Sequence, residues 1–410
     1  MPGYIGNFIT ASLMAIVFAR WMGIQDLGAF AFAFHVVRIV VLVAGMGLNM
    51  GAVRLIPRYM EQGRHAEITG FVMGSVLVTA AACAIFGALV FLFSLPAIEG
   101  TSSQAALWHA DWLAAILGVG ILLAGVMRAH GHTLTAAIAQ KSGRNIAAMV
   151  IALLMVESGG ALDARDGLVA LALAVLLALI GQIAVLIWNR RLPFVRPVFR
   201  PGEWLSTSTP MMVTALGRLI IAGGDVIIIR LLLGEAQAGL YHAAITLAVA
   251  ANLAGLAVSA SVAPELARRD GPGDVAVWRA MFRYGLKLAL VCDVILAGLI
   301  IAFGRTLLAW FGSDFVEAYP LLIVLTLGVL FQNVSFFCGT ANNMTGGARK
   351  ALPYILVMLT VAVCLSIAAT ATFGLMGTAV AYAFSRAMAS GLLIVLLRRH
   401  RASQAAGTES

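Results

Sequence analysis

The sequence predicts an all-α integral membrane protein, with twelve transmembrane helices in two six-helix lobes related by a pseudo-two-fold axis around a central cavity. Three observations predict it. Of 410 residues, 61% are hydrophobic and 11% charged, with mean hydropathy +0.98, a composition of membrane spans rather than of an aqueous domain. Basic residues gather in every second linker, as they do when a chain weaves through a bilayer. A glycine-bounded motif from the first half also recurs in the second.

Hydrophobic windows place the spans near 4–22, 28–53, 68–95, 106–127, 136–156, 167–188, 208–232, 240–264, 284–303, 317–340, 352–372 and 376–397. The start, Met1-Pro2-Gly3, has no basic stretch or cleavage site, so the short first span is expected to stay in the protein. Arg54, Arg58 and Arg64 follow span two, and Arg128, Lys141 and Arg144 flank the turn from four to five. Arg190, Arg191, Arg196 and Arg200 join six to seven; Arg268, Arg269, Arg279, Arg283 and Lys287 join eight to nine. Arg349 and Lys350 follow ten, and Arg398, Arg399 and Arg401 close the chain. These are 20 of the 27 Lys and Arg, all on one side. The opposite loops carry Asp26, Glu99, Asp111, Glu157, Asp163, Asp166, Glu235, Asp314 and Glu317. The positive-inside rule then puts both termini in the cytoplasm. It also accounts for the net charge of +9 without nucleic acid.

The proline- and arginine-rich segment 189–207 divides an N-terminal lobe, 1–188, from a C-terminal lobe, 208–397, with 398–410 a disordered cytoplasmic tail. Its arginines and aromatics suit an anionic inner leaflet. Gly23-Ile-Gln-Asp-Leu-Gly28-Ala-Phe30 corresponds to Gly234-Glu-Ala-Gln-Ala-Gly239-Leu-Tyr241, each between the first and second span of its half. Six spans per half is even, so the halves enter the membrane with the same orientation and a functional site is expected between them near midplane. Cys83, Cys292, Cys338 and Cys364 lie in apolar runs and read as small core residues. His130-Gly-His132, in a cytoplasmic turn without acidic or cysteine partners, reads as a solvated loop, and no metal site or catalytic group is expected.

Seven bases do not belong to the inner surface. Arg165 and Arg305 sit in outer loops, leaving Arg20, Arg38, Arg218, Arg230 and Arg386 within or at the outer ends of spans, against Asp225 and Asp293 as the only acids in the membrane. Intramembrane charge is costly and usually faces protein or water. Arg218 and Asp225, seven apart, share one helix face to within about 20°, with Thr207 and Thr214 on the same stripe. Gly223-Gly224 is expected to loosen that helix and expose backbone, as in the broken helices of transporters. His35, Arg38, Gly45 and Asn49 form a polar stripe on span two. Five cations against two anions imply a hydrated, net-positive chamber whose guest is anionic, and the planar guanidinium fork suits phosphate. The alternatives are snorkelling of Arg20 and Arg230 to headgroups and a structural Arg218–Asp225 pair. Asp225 and Asp293 are the candidates for H+ or Na+ coupling, or for pairing with arginine.

Ala19-Arg20-Trp-Met-Gly23-Ile-Gln-Asp-Leu-Gly28-Ala-Phe30, with Arg54-Leu-Ile-Pro57, resembles the N-terminal signature of polysaccharide-export flippases. Asp225-Val-Ile-Ile-Ile-Arg230-Leu-Leu-Leu-Gly234 through Tyr241 resembles the second-half signature, and Phe311-Gly-Ser-Asp-Phe315 and Phe373-Gly-Leu-Met-Gly377 fit as well. The resemblance is to the multidrug/oligosaccharidyl-lipid/polysaccharide exporter superfamily and spans nearly the whole chain. It implies translocation of undecaprenyl-diphosphate-linked glycan (O-antigen, exopolysaccharide or capsule repeat) to the outer leaflet of a bacterial inner membrane by alternating access. It also implies work beside a polysaccharide polymerase and glycosyltransferases. Arg20 and Asp225 match motif positions; Arg38, Arg218 and Arg386 come from the charge argument. A lipid II flippase differs only in cargo. A cation-coupled drug exporter would need an acidic chamber, and a membrane glycosyltransferase a large catalytic loop that the sequence lacks.

Overall fold

The computed structural model describes residues 2–98, 100–158, 162–189, 195–268, 275–344 and 348–406. Among these the ordered elements are helices and no strand occurs. In chain order they are α1 (Pro2–Ala44), α2 (Leu48–Glu61), α3 (His65–Ile98), α4 (Ser102–Trp108), α5 (Ala110–Ala129), α6 (Thr133–Ala137), a π-turn (Ile138–Gly143), α7 (Arg144–Glu157), α8 (Ala164–Trp188) and α9 (Pro201–Leu233). Then come α10 (Glu235–Ala248), a 3₁₀ turn (Val249–Asn252), α11 (Leu253–Arg268), α12 (Val275–Ala302), α13 (Gly304–Ala309), a 3₁₀ turn (Ser313–Ala318), α14 (Tyr319–Met344) and α15 (Ala348–Ala406).

Eight helices among the described residues are long and apolar enough to cross a membrane, or nine counting α9, whose halves Pro201–Gly217 and Leu219–Leu233 meet at 48°. Eleven of the twelve expected spans map onto these, all but span five. Gly6–Glu61 holds spans one and two, turning at Gly23, and Leu356–Leu397 holds eleven and twelve, turning at Gly374. Both glycines have positive φ, 77° and 62°, where a Cβ would strain the backbone. Span five is interrupted by the π-turn, which leaves α7 only 14 residues long.

The chain forms two compact units, Pro2–Gly239 and Leu240–Ser410. α9 belongs to the first of these units, packing along α1 and α2. Gly47 and Gly51 permit that approach: a Cβ on either would stand 2.5 or 2.0 Å from Ser208 of α9. Arg190 and Arg191 lie outside the described residues. Within the described part of segment 189–207, Val198 and Trp204 contact the rest of the protein, while the side chains of Val195, Val198 and Phe199 stay exposed. The Val198 N–H donates to the Ala66 carbonyl at 3.0 Å, and Trp204 is buried edge-on against Phe71 at 5.4 Å. Trp204 thereby joins the unit's apolar core with Leu55, Tyr59, Leu122 and Leu186.

In the C-terminal unit α11, α12 and α14 pack together and α15 lies along α14. Leu266, Trp278, Ala341 and Leu397 form a core cluster, and Trp278 stacks on Phe282 at 5.3 Å. Only 11% of the apolar window in Leu356–Leu397 is buried by protein, as expected where side chains face acyl chains. All four cysteines are free; Cys83 and Cys338 are buried, whereas Cys364 is exposed and so is no core residue. The N-terminus of α8 is fixed by a reciprocal cap, Asp166 N donating to Asp163 Oδ1 at 2.8 Å.

The two copies of the repeated motif share a backbone. Gly23 (φ 77°, ψ −176°) and Gly234 (φ 98°, ψ 179°) make the same turn. Five residues on in each copy, Gly28 and Gly239 cross at backbone contact. A Cβ on Gly28 would stand 1.9 Å from the Glu235 carbonyl oxygen, and one on Gly239 would stand 2.1 Å from that of Ile24.

Candidate functional site

The N-terminal unit holds an open cavity of about 550 Å³ between α1, α2, α3, α5, the π-turn and α9, within the range of small-ligand sites. Its opening begins in the sequence Gly45-Met46-Gly47, where span two breaks. Met46 and Gly47 take positive φ, 47° and 71°, ending α1 and restarting the chain as α2. Gly45 and Gly47 line the cavity with Arg38, Asn49, Thr79 and Lys141, and Val41, Met50, Leu122 and Leu219 give it apolar walls. Gly125 of α5 permits close packing at Asn49, since a Cβ there would stand 2.3 Å from the Asn49 carbonyl oxygen.

Two cations line it, and a third, Arg144, shares a ring with one of them. Arg38 and Lys141 are in the wall. The Arg38 and Arg144 guanidiniums lie 5.8 and 5.9 Å from the centre of one ring, Phe34. Arg144 donates to Asn145 Oδ1 at 2.9 Å. Among the described residues no carboxylate pairs with Arg38 or Arg144. Two uncompensated guanidiniums sharing a ring repel each other, and an anion bound beside them relieves that repulsion. Lys141 and Arg144 read in the sequence as inner-surface charge. Their place within an apolar window was the available signal; the π-turn that turns Lys141 to the cavity was not legible.

The other residues singled out in the sequence are scattered. Asn49 and Arg38 share the cavity, but His35 turns away to α9. Its Nδ1 donates to the Ala31 carbonyl at 2.7 Å, and its ring lies against Gly223, whose Cβ would stand 1.8 Å from Cδ2. The chain stays helical through Gly223-Gly224, and the bend of α9 falls between Gly217 and Leu219 instead; the glycine at 223 makes room for an imidazole. The side chains of Arg218 and Thr214 lie outside the described residues. Asp225 is half-buried and does not line the cavity, and Arg20 is exposed.

Arg230 sits in a closed knot rather than in a hydrated chamber or at headgroups. Its Nε donates to Ser103 Oγ at 2.7 Å and its Nη2 to Thr101 Oγ1 at 3.0 Å, and Nη2 stands 3.4 Å from Glu235 Oε1. Glu235 also accepts from the Ser103 N–H at 2.7 Å and from Gln25 Nε2 at 3.3 Å. These bonds use the guanidinium inside the protein. Arg386 is buried in the C-terminal unit, 4.7 Å from the Tyr382 ring centre, while the Tyr382 hydroxyl donates to Gln332. Asp293 is buried in the same unit, accepting from the Gly255 N–H at 2.8 Å. Among the described residues no cluster of three His, Cys, Asp or Glu could hold a metal ion.

Residues 2–270 match the family model described as "Polysaccharide biosynthesis protein". The chain belongs to the polysaccharide biosynthesis protein family. No curated protein sequence matches this family member. Its fold is similar to an inward-facing MATE-family multidrug resistance transporter of the MOP superfamily. The TM-score is 0.78 at 15% identity, over 97% of this chain and 95% of that one. It is similar also to the lipid II flippase MurJ in an inward closed conformation, with TM-score 0.76 at 14% identity over 98% of this chain and 89% of that one. A point mutant of the Vibrio cholerae MATE transporter VcmN gives 0.66 at 15% identity over 98% and 95%. At these identities the likeness is one of fold. The chain is thus a multi-pass membrane protein with the two-lobe, twelve-helix fold of such transporters.

Proposed function

We propose that this member of the family is a flippase that moves a polyprenyl-diphosphate-linked oligosaccharide from the cytoplasmic to the periplasmic leaflet of the inner membrane by alternating access, without covalent chemistry. One observation carries the reading: Arg38 and Arg144 flank a single ring at a cavity that Lys141 also lines, with no carboxylate on either arginine among the described residues. A diphosphate matches that charge, and each guanidinium fork can meet two of its oxygens. A cationic drug would meet repulsion in the same place.

The expected outcome is that Arg38→Ala and Arg144→Ala each reduce transport about tenfold or more, the loss of one charge-assisted contact. Arg38→Lys, keeping charge but not the fork, should fall between. Surface polysaccharide in a strain dependent on this gene, normalised to protein level, is the measurement; undiminished polysaccharide in both alanine variants overturns the reading. Lipid II presents the same diphosphate, so cargo is separated by a second assay. Rescue of cells depleted of their cell-wall flippase would assign lipid II, and no rescue is expected here.

A further inference from the structure

The arginine beside the cargo cavity is held by a chain of contacts that reaches from α7 to α1. Asn145 is the second residue of α7, a helix that is otherwise apolar from there up to Glu157. Its side chain is 0% exposed. A buried amide costs free energy unless its donors and acceptor are used. Leucine would fill the same volume without that cost, so the amide has a polar task.

Adjacent residues of a helix point about 100° apart and do not face each other. Arg144 nevertheless folds across the helix end onto its neighbour. Its Nε and Nη2 both donate to Asn145 Oδ1, at 3.3 and 2.9 Å. The amide is oriented from its other side by α1. The Thr10 hydroxyl gives its proton to the carbonyls of Gly6 and Asn7, at 2.9 and 3.1 Å. Toward Asn145 it can therefore only accept, and Asn145 Nδ2 donates to it at 3.4 Å. With the amide flipped, its NH2 would meet the guanidinium, donor against donor.

This order does what a carboxylate could not. An arginine held in place before its ligand arrives loses less rotamer freedom on capture. An aspartate at 145 would have the same shape and would hold the fork equally well. It would also neutralise the fork and compete with an anionic guest. The amide orients the guanidinium and leaves its charge. The contacts to Asn145 take the Nε edge and leave the Nη1 end for a ligand. Among the described residues no carboxylate pairs with Arg144, which shares the Phe34 ring with Arg38.

We propose that Asn145, steadied by Thr10, is a positioning residue that fixes the Arg144 guanidinium for a diphosphate without neutralising it. This role rests on the flippase reading and adds to it a residue that need not touch cargo.

The test is the melting temperature of the purified full-length protein in detergent, followed by the fluorescence of its seven tryptophans. It is titrated with inorganic diphosphate at fixed pH and ionic strength, and diphosphate should raise it saturably. Asn145→Asp should raise half-saturating diphosphate about tenfold, the loss of one charge-assisted contact, while melting without ligand stays at or above the wild-type value. A merely structural amide predicts no loss of binding, since the carboxylate keeps the shape and adds an ion pair. Asn145→Ala should weaken binding too, yet in an Arg144→Ala background it should cost nothing further, because it acts through the arginine. Undiminished diphosphate binding in Asn145→Asp overturns the proposal, as does an undiminished effect of Asn145→Ala in the absence of Arg144. Should Asn145→Asp not fold, Thr10→Val decides: it removes the acceptor that sets the amide, so unchanged half-saturation there is also fatal. Arg144→Ala separates the positioning role from the flippase reading. If it weakens diphosphate binding and the Asn145 variants do not, only the positioning role falls. If Arg38→Ala and Arg144→Ala both bind as the wild type does, or the wild type shows no saturable rise, the flippase reading falls with it.

Discussion

Arg38 and Arg230 show how the same residue type takes opposite roles according to what surrounds it. Arg38 has no acidic partner among the described residues and stands in a cavity wall; Arg230 has Glu235, Ser103 and Thr101 around it and is 5% exposed. The sequence marks both as misplaced cations in apolar spans. It does not reveal the knot, because Ser103 is 127 residues away and Glu235 reaches back only around the Gly234 turn. Arg230→Ala leaves the Glu235 carboxylate buried without its cation, so a loss of about 3–5 kcal/mol is expected. Arg230→Ala with Glu235→Ala removes both charges and should cost less than Arg230→Ala alone. Thermal melting of the single and double variants checks this; a double variant less stable than the single would mean that the charges are not what the knot balances. Arg38→Ala, by contrast, should leave melting unchanged or raised, since it relieves the repulsion with Arg144.

At the scale of elements, glycines decide where helices turn and where they touch. Most spans were legible as apolar windows, and the repeated motif marked the turn at Gly23 and its counterpart at Gly234. The break at Gly45-Met46-Gly47, the π-turn at Ile138–Gly143 and the 3₁₀ turn at Val249–Asn252 were not. Each is a local change in hydrogen-bond register that leaves hydropathy untouched, and the first two shape the cavity. Two glycines of one motif separate conformational strain from collision. Gly23 has open space where a Cβ would go, so Gly23→Ala should cost only the strained positive-φ backbone, about 1–3 kcal/mol. Gly28→Ala places a methyl 1.9 Å from a carbonyl oxygen on fixed backbone, and the crossing must part. Gly28→Ala should therefore lower the melting temperature more than Gly23→Ala and, unlike it, should weaken the nearby Gln25–Glu235 contact. Equal losses in the two variants would show that the motif crossing is not tight.

At the scale of the whole molecule, the distribution of charge across the bilayer makes a claim that neither the fold nor the cavity depends on. Linkers with Arg54, Arg58 and Arg64 alternate with loops carrying Asp163, Glu235 and Asp314. On the basic side, Arg58, Arg64 and Arg200 pair with Glu67 and Glu203 at 3.0–3.9 Å. Partly exposed pairs of this kind contribute little stability, so this side is expected to owe its basic excess to topology rather than to folding. The positive-inside rule then predicts a cytoplasmic C-terminus and a periplasmic loop after α7. A fluorescent protein fused after Ser410 should fold and fluoresce, as such fusions do only in the cytoplasm. Alkaline phosphatase fused after Ser158 should be active, as it is only in the periplasm. The reverse pair of results would invert the topology. It would also set the direction of transport proposed here against the direction in which its donor, a lipid-linked glycan assembled at the inner leaflet, is supplied.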